Sequence, residues 1–518
     1  MLNPIKFFQR FAVLLMVVCV TACGSLPSLE GRRESQALMS AEGADTRLGR
    51  GLQPMADQHP GLSGVVALPN ALDAFASRML LIAAAERTID VQYYIWRDDI
   101  TGNLLLRALR EAAKRQVRVR LLLDDNGTAG LDESLALLNA EPNMEVRLFN
   151  PFVHRGFKPL GFVTDFKRLN RRMHNKSLTV DGQATIVGGR NVGDEYFGAT
   201  QDVAFADLDV LVTGEAVDEV SQDFDRYWNS ASAFPLESLV EVPAQPKSVP
   251  LWQLESAQAL DDQARMYLQA VVRSSFVESL IAGKLALQWA PVRMVSDDPA
   301  KALGEAPPEA LLLPRMIQML GQPTESVDLI SPYFVPTEQG VEAFGALAAQ
   351  EVKVRILTNA MEATDVLAVH AGYAKYRRPL LERGVELFES RRQRSENAPK
   401  EKAGPFGSSG SSLHAKTFAV DGKRVFVGSF NFDPRSARFN TELGFVIESP
   451  TMAQDLARVF DVSVHAHAYE LQLDEQGQLV WLEETAEGVR RLTQEPSTSF
   501  WQRLWVRLLS LLPIEPLL

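Results

Sequence analysis

A histidine followed two residues later by a lysine occurs twice in this chain in one shared frame. The first copy runs from Met173 through His174, Lys176 and Asp181-Gly182 to Gly188-Gly189-Arg190-Asn191. The second runs from Leu413 through His414, Lys416 and Asp421-Gly422 to Gly428-Ser429-Phe430-Asn431. Histidine is scarce, seven in 518 residues, and a single His-x-Lys-x4-Asp match has a chance probability of roughly one in a hundred. Two matches sharing the Gly-x-x-Asn tail mark a duplicated site. These residue types suit phosphoryl transfer. Imidazole can attack phosphorus or protonate a leaving alcohol, while ammonium and amide groups hold and neutralise phosphoryl oxygens. A lone histidine on a strand is usually a satisfied core residue. A repeated His-Lys pair is not, because burying unpaired ammonium groups is costly and calls for an anionic partner.

In a strand, residues i and i+2 share a face, so His174 and Lys176 point one way, as do His414 and Lys416. Asp181-Gly182 and Asp421-Gly422 read as two-residue hairpin turns. That register sets Gly189 opposite His174 and Ser429 opposite His414, where a small residue leaves room for a substrate group. Asp181 and Asp421 belong to the repeated catalytic motif, but each lies at the turn, about seven residues from its own histidine. They read as scaffold rather than as direct catalysts. No cluster of carboxylates or cysteines suggests a metal, and His465-Ala-His467 lacks further ligands nearby.

The elements that must position these residues also come twice. A helical apolar spacing over 71–85 is followed by a strand over Ile89–Trp96, a helix over 103–113 and a strand over Val117–Asp124. A helix over Leu131–Asn139, the strand Glu145–Phe149 and the first His-x-Lys hairpin follow. The strands return as Ser326–Pro336, Val352–Asn359 and Val385–Phe388 before the second hairpin. Strands alternating with helices imply α/β domains with mixed, largely parallel sheets flanked by helices on both faces. The spacing of the histidines, from 174 to 414, is far above solenoid repeat lengths, so a whole domain is duplicated. The expected domains are 67–234 and 321–470, joined by a linker with helices over 235–320. An extension over 471–518 carries Trp501, Leu504, Trp505, Leu508, Leu511 and Leu512 at helical spacing, which suits an interfacial helix and equally a helix docked on the core.

Composition bounds the function. A hydrophobic fraction of 46% and a charged fraction of 23% exclude global disorder and a polytopic membrane protein. A net charge of −12 argues against nucleic acid as a partner. Both cysteines, Cys19 and Cys23, lie at the N-terminus, which has a positive start (Lys6, Arg10), an apolar run too short to span a bilayer, and Val20-Thr-Ala-Cys23. Residues 1–22 therefore read as a signal peptide, and residues 23–66 as a polar tether.

Taken together, the duplicated motifs resemble the phospholipase D superfamily over about residues 70–470. Tyr93–Gly102, Arg171–Lys176, Ser331–Pro336 and Leu511–Glu515 are similar to the bacterial cardiolipin synthase subgroup. The resemblance implies two tandem phospholipase D-type domains related by pseudo-two-fold symmetry, an active site at their interface, no cofactor and no metal. It also implies a phosphohistidine intermediate, with His174 as nucleophile and His414 as general acid or the reverse. Lys176, Lys416, Asn191 and Asn431 would hold phosphoryl oxygens. An acid orienting each imidazole is expected downstream. Glu442 in Asn440-Thr-Glu442 fits, and Asp207 aligns with it in the first half. The Val20–Cys23 box resembles a bacterial lipoprotein signal, which implies lipidation of Cys23 and a membrane-anchored, periplasmic protein.

The leading function is phosphatidyl transfer that makes cardiolipin from phosphatidylglycerol and a second phospholipid, either phosphatidylglycerol or phosphatidylethanolamine. A hydrolytic phospholipase D uses the same residues, with water as acceptor. A nuclease and a non-catalytic lipid-binding module are further readings, opposed by the acidic balance and by the two intact motifs. Membrane phospholipids are the expected partners, with an accessory protein as a further candidate. The basic residues Arg155, Lys158, Lys167, Arg168, Arg171 and Arg172 form a run suited to anionic headgroups. Gly24 is not the Asp associated with inner-membrane retention, which points to the outer membrane, whereas cardiolipin synthesis points to the inner one.

Overall fold

A computed structural model describes residues 25–200, 205–245, 250–253, 262–282, 284–392 and 413–518. The signal segment with Cys23 and Gly24, and most of the polar loop before His414, lie outside the described residues.

The first half builds a nine-stranded sheet. Its strands are β1 (Ser63–Leu68), β2 (Thr88–Tyr93), β3 (Arg118–Asp124), β4 (Met144–Phe149), β5 (Ser177–Val180), β6 (Ala184–Gly188), β7 (Asp209–Gly214), β8 (Ala233–Pro235) and β9 (Gln288–Ala290). Their spatial order is β8-β4-β3-β2-β5-β6-β7-β1-β9. The second half builds a ten-stranded sheet from β10 (Val292–Ser296), β11 (Ser326–Ile330), β12 (Lys353–Asn359), β13 (Glu386–Ser390), β14 (Thr417–Val420), β15 (Arg424–Gly428), β16 (Leu443–Glu448), β17 (Ala468–Leu473), β18 (Leu479–Thr485) and β19 (Gly488–Leu492). The order β4-β3-β2-β5-β6-β7 recurs as β13-β12-β11-β14-β15-β16. Even a cross-strand ion pair is repeated: Arg120 meets Asp90 at 2.7 Å, and Arg355 meets Asp328 at 2.6 Å. Both sheets are mixed, but not largely parallel. Among the described strands only β2-β3-β4 and β11-β12-β13 run parallel, and every other strand pairing is antiparallel. The helical crossovers join only those three strands in each half; hairpins and edge strands supply the rest.

Nor do helices alone cover both faces. The outer face of each sheet carries its own core, where helices Ala71–Ala84 and Ile100–Lys114 pack in the first half. On the inner faces, Val187, Val210 and Val212 join Val425, Val427, Phe445 and Ile447 in one shared core. The strands alternate accordingly: Ile186 and Leu211 face outward while their neighbours face the other half. Helices Ala216–Trp228 and Pro450–Arg458 complete this inner layer.

Three sequence-based expectations change here. Residues 25–66 are not a free tether: they lie along the first half and supply carbonyls to its arginines, with Arg120 donating to Ser35 O, Arg118 to Gln36 O and Arg87 to Glu42 O. These guanidinium groups need acceptors, and a polar segment delivers them. The linker over 235–320 carries strands as well as helices, one on each side of Pro291. β9 extends the first sheet by pairing with β1, and β10 opens the second by pairing with β16, because proline cannot donate to a ladder. Finally, the hairpin register is shifted by one. Asp181 and Gly182 have φ of 52° and 64°, as a type I′ turn requires, but Gln183 adds a residue and Val180 pairs with Ala184. Lys423 does the same in the second hairpin, where Val420 pairs with Arg424.

Candidate active site

The β5–β6 ladder begins at Ser177, so His174 and Lys176 precede it. They are held instead by the opposite half. Met173 bridges Thr441, and Leu413 bridges Ala206, in two reciprocal single-residue pairings. His174 N donates to Thr441 O at 2.8 Å, and His414 N donates to Ala206 O at 2.8 Å. This is the contact pattern of an isologous two-fold junction, with each half presenting the same two segments to the other.

The crossing places each acid on the other half's histidine. His174 Nδ1 lies 2.8 Å from Glu442 Oε2, and His414 Nδ1 lies 2.6 Å from Asp207 Oδ2. The alignment of Asp207 with Glu442 therefore holds, but each serves the imidazole across the junction rather than its own. Glu442 is fixed in turn by Ser429 Oγ on Oε2 and by Ser436 Oγ on Oε1. With Nδ1 engaged, Nε2 of each ring is the atom left for chemistry, and at His414 it lies 3.4 Å from Lys416 Nζ. Tyr94 packs edge-on against His174, and Tyr196 against His414, both with ring centroids 5.1 Å apart.

Gly189 and Ser429 do not clear space for substrate beside their own histidines. A Cβ on Gly189 would lie 2.2 Å from Asp207 Oδ1, so the glycine makes room for the acid. Ser429 bonds Glu442, and its carbonyl oxygen lies 3.1 Å from His174 Nδ1. Asn191 is also committed: Oδ1 accepts from Ile95 N and Nδ2 donates to Tyr196 OH, so it braces the ring beside His414. Asn431 is buried, and its Oδ1 has no hydrogen-bond partner among the described residues. Asp181 accepts from Glu86 N, Arg87 N and Thr88 N, and Asp421 from Thr324 N, Glu325 N and Ser326 N. Both pin the entry to a central strand, as the turn position implied.

Lys176 and Lys416 are buried, and each donates to the carbonyl of its own motif histidine, Lys416 at 2.6 Å. Burial pushes the Lys176 ammonium well below its ordinary value and lowers that of Lys416. Burial also pushes His174 to about 4, with Lys176 and Lys416 adding to it against the pull of Glu442. His414 falls to about 3 through burial and Lys416. For the acids, burial alone would raise the carboxyls, but His414 and Lys416 overcome it at Asp207, and His174 and Lys176 at Glu442, so both are held below the usual range. Before substrate binds, the site therefore holds two imidazoles kept neutral, two carboxylates and two lysines whose charged form is disfavoured. An anion placed among them restores the ammonium groups.

The basic run before the first motif is largely internal. Arg172 pairs with buried Asp124, Arg155 and Lys158 with Asp125, and Arg168 with Asp165, while Arg171 donates to carbonyls of Lys301 and Arg438. Only Lys167 is exposed. The site residues that motif reading missed are Tyr94, Tyr196, Ser436 and Arg435, which donates to Asn170 beside the first motif. Tyr94 lies within the Tyr93–Gly102 cue; the others carry no signal of their own.

A family profile described as "Cardiolipin synthase, PLD-like domain" matches residues 79–228 and 316–463. The chain belongs to this phospholipase D-like cardiolipin synthase family. Cardiolipin synthase C of Escherichia coli K12 is 50% identical over 472 residues, which cover 91% of this chain and all of that protein. A cardiolipin synthase of Geobacillus kaustophilus is 27% identical over 84% of this chain and 73% of its own length. Among solved structures, phosphatidylserine synthase from Haemophilus influenzae aligns with a TM-score of 0.55 at 14% identity, covering 90% of this chain and 99% of that one. At that identity the likeness concerns the fold of two tandem phospholipase D-like domains.

Proposed function

We propose that the protein is a phospholipase D-type phosphatidyltransferase that joins two phospholipids into cardiolipin through a phosphohistidine. The observation that carries this reading is the crossed pair of carboxylate-oriented imidazoles, His174–Glu442 and His414–Asp207, with a lysine beside each. His174 Nε2 attacks phosphorus, the bond from phosphorus to the headgroup oxygen breaks, and that oxygen takes the proton from His414 Nε2. In the second step an acceptor hydroxyl gives its proton to His414 and attacks phosphorus, and the N–P bond breaks. The phosphodiester's own charge prepares the acid, so that His414 Nε2 takes up a proton from solvent as the substrate binds. It offsets Lys176 and Lys416, which otherwise disfavour the imidazolium.

Phosphatidylglycerol is the acceptor on this reading, and phosphatidylglycerol or phosphatidylethanolamine the donor. The Val20–Cys23 sequence supports a lipidated protein on the periplasmic face of a bacterial membrane; fractionation of the wild type against Cys23→Ser tests that. For the chemistry, the chain is given phosphatidylglycerol vesicles with and without phosphatidylethanolamine. Cardiolipin with released glycerol or ethanolamine is expected, together with a phosphohistidine on His174 after rapid quenching. Phosphatidic acid as the sole product would replace transfer with hydrolysis. His174→Ala should abolish either.

A further inference from the structure

The C-terminal helix Phe500–Leu509 is capped by Ser499, which accepts from Gln502 N while Gln502 reaches back to Ser499 N. It is thus a formed helix. It touches the second half by a narrow line only: Val506 is buried and Leu509 half-buried, against Met361, Ala371 and Leu367. The exposed side presents Trp501 (68% exposed), Trp505 (59%) and Leu508, and the turn after it adds Leu511 (78%) and Leu512. Trp501, Trp505 and Leu508 lie at i, i+4 and i+7, a single stripe that the turn bearing Leu511 and Leu512 continues. Monomeric proteins rarely leave such a row in water. From Ser497 to Ile514 there is no acidic residue, and Arg503 and Arg507 flank the stripe, with Arg507 exposed.

The position of this stripe relative to the catalytic junction is fixed. Past the helix, Ile514 and Leu518 pack on Val335 and Val369 beside Tyr333, next to Phe334, which bridges Phe432 just past Asn431 of the second motif. Arg435 N donates to Leu518 O at 2.6 Å, and its guanidinium grips Asn170 O and Oδ1 at 3.1 and 2.8 Å. Asn170 ends the short helix Phe166–Leu169, and the segment leading to it leaves Phe157, Val163 (82% exposed), Phe166 and Lys167 exposed. One arginine therefore ties the chain end that follows one apolar outcrop to the residue that follows the other, at the edge of the junction that holds His174 and His414.

We infer that the Trp501–Leu512 stripe is a lipid-surface docking element that seats the catalytic junction against an anionic bilayer, with Phe157, Val163 and Phe166 as its second foot. Aromatic and aliphatic side chains with interleaved cations and no acids fit the interfacial zone of a membrane. This role is separate from any anchor at Cys23, which would tether the chain without setting its orientation. It rests on the reading of the protein as an enzyme of membrane phospholipids.

The test uses the full chain and the triple variant Trp501→Gln/Trp505→Gln/Leu511→Gln. Vesicles of phosphatidylglycerol with brominated acyl chains should quench the tryptophan fluorescence of the wild type, and the variant should lose that quenching. On vesicle substrate the variant should turn over at least roughly tenfold more slowly. On short-chain phosphatidylglycerol dissolved as monomers, it should match the wild type within about twofold. Equal quenching in both proteins overturns the inference, as does an equal fall on both substrates, which would mean a structural role. Self-association that the variant abolishes, with no quenching in the wild type, would assign the stripe to a second copy and overturn it too. Should the wild type lack transferase activity altogether, the functional reading fails while the quenching result still decides the docking.

Discussion

Glu442 and Asp207 each serve a histidine more than 200 positions away, so the catalytic pairs are shared at the level of single hydrogen bonds. Asp207→Asn should disturb His414 and leave His174 unchanged, with Glu442→Gln doing the reverse. Nitrogen-15 spectra of the imidazoles read this directly, and a response at the same-half histidine would refute the crossing. Each variant should also lose about 10²–10⁴ in turnover, the usual scale for misorienting a proton-transferring imidazole. The same spectra test the electrostatics. His174 has its folded value lowered to about 4 from an ordinary 6.5, so it should stay neutral as pH falls through 6.5 and take its proton only near 4. A titration near 6.5 would show that burial and the lysines do not act as described. The types and spacing of these residues were legible in the sequence, as was the alignment of Asp207 with Glu442. The crossing was not, because spacing along the chain says nothing about which half a segment leans on. The glycine at 189 shows the same limit: its smallness was legible, but what needs the room was not.

Among the elements, the hairpins carry the motif without containing its histidine. The Asp-Gly turn was readable, and its scaffold role follows from geometry. A carboxylate projecting from a tight turn reaches the unpaired N–H groups at the start of the neighbouring strand, β2 for Asp181 and β11 for Asp421. The register was not readable, since nothing about Gln183 or Lys423 announces an extra turn residue. Replacing Asp421 by Asn leaves one acceptor for three N–H donors and should cost about 1–3 kcal/mol, with activity of the folded fraction retained. Its pH dependence has a definite sign. Although burial works against it, the backbone donors of Glu325, Thr324 and Ser326 hold the Asp421 carboxyl below its ordinary 3.8. Its contribution is therefore complete above that value and disappears as pH falls through the folded value. The stability gap between wild type and Asp421→Asn, followed by denaturant unfolding, should be constant from pH 7 to 5 and close below about 3.8. A gap that persists into stronger acid would mean that the charge contributes nothing.

For the whole molecule, duplication was legible from repeated strands, but the way the halves meet was not. Their inner faces look in sequence like any buried strand, because a valine facing a helix and a valine facing another sheet are written alike. In the structure Val187, Val210 and Val212 share one core with Val425, Val427, Phe445 and Ile447, and the catalytic bridges sit on its border. Two domains that merely adjoin would unfold separately; halves sharing a core and an active site should not. Phe445→Ala, a fully buried ring at this junction, should cost about 3–5 kcal/mol. That loss should register equally on both sides. The chain has seven tryptophans; labelled with fluorotryptophan, Trp228, buried in the first half, and Trp481, buried in the second, can be read as separate fluorine-19 resonances, each assigned by its Trp→Phe variant. Thermal unfolding followed through either one should give a single transition with the same midpoint, lowered by the same amount in Phe445→Ala. Two midpoints, or a shift confined to Trp481, would mean that the second half carries Phe445 alone and that the junction is an assembly of independent domains rather than one folding unit.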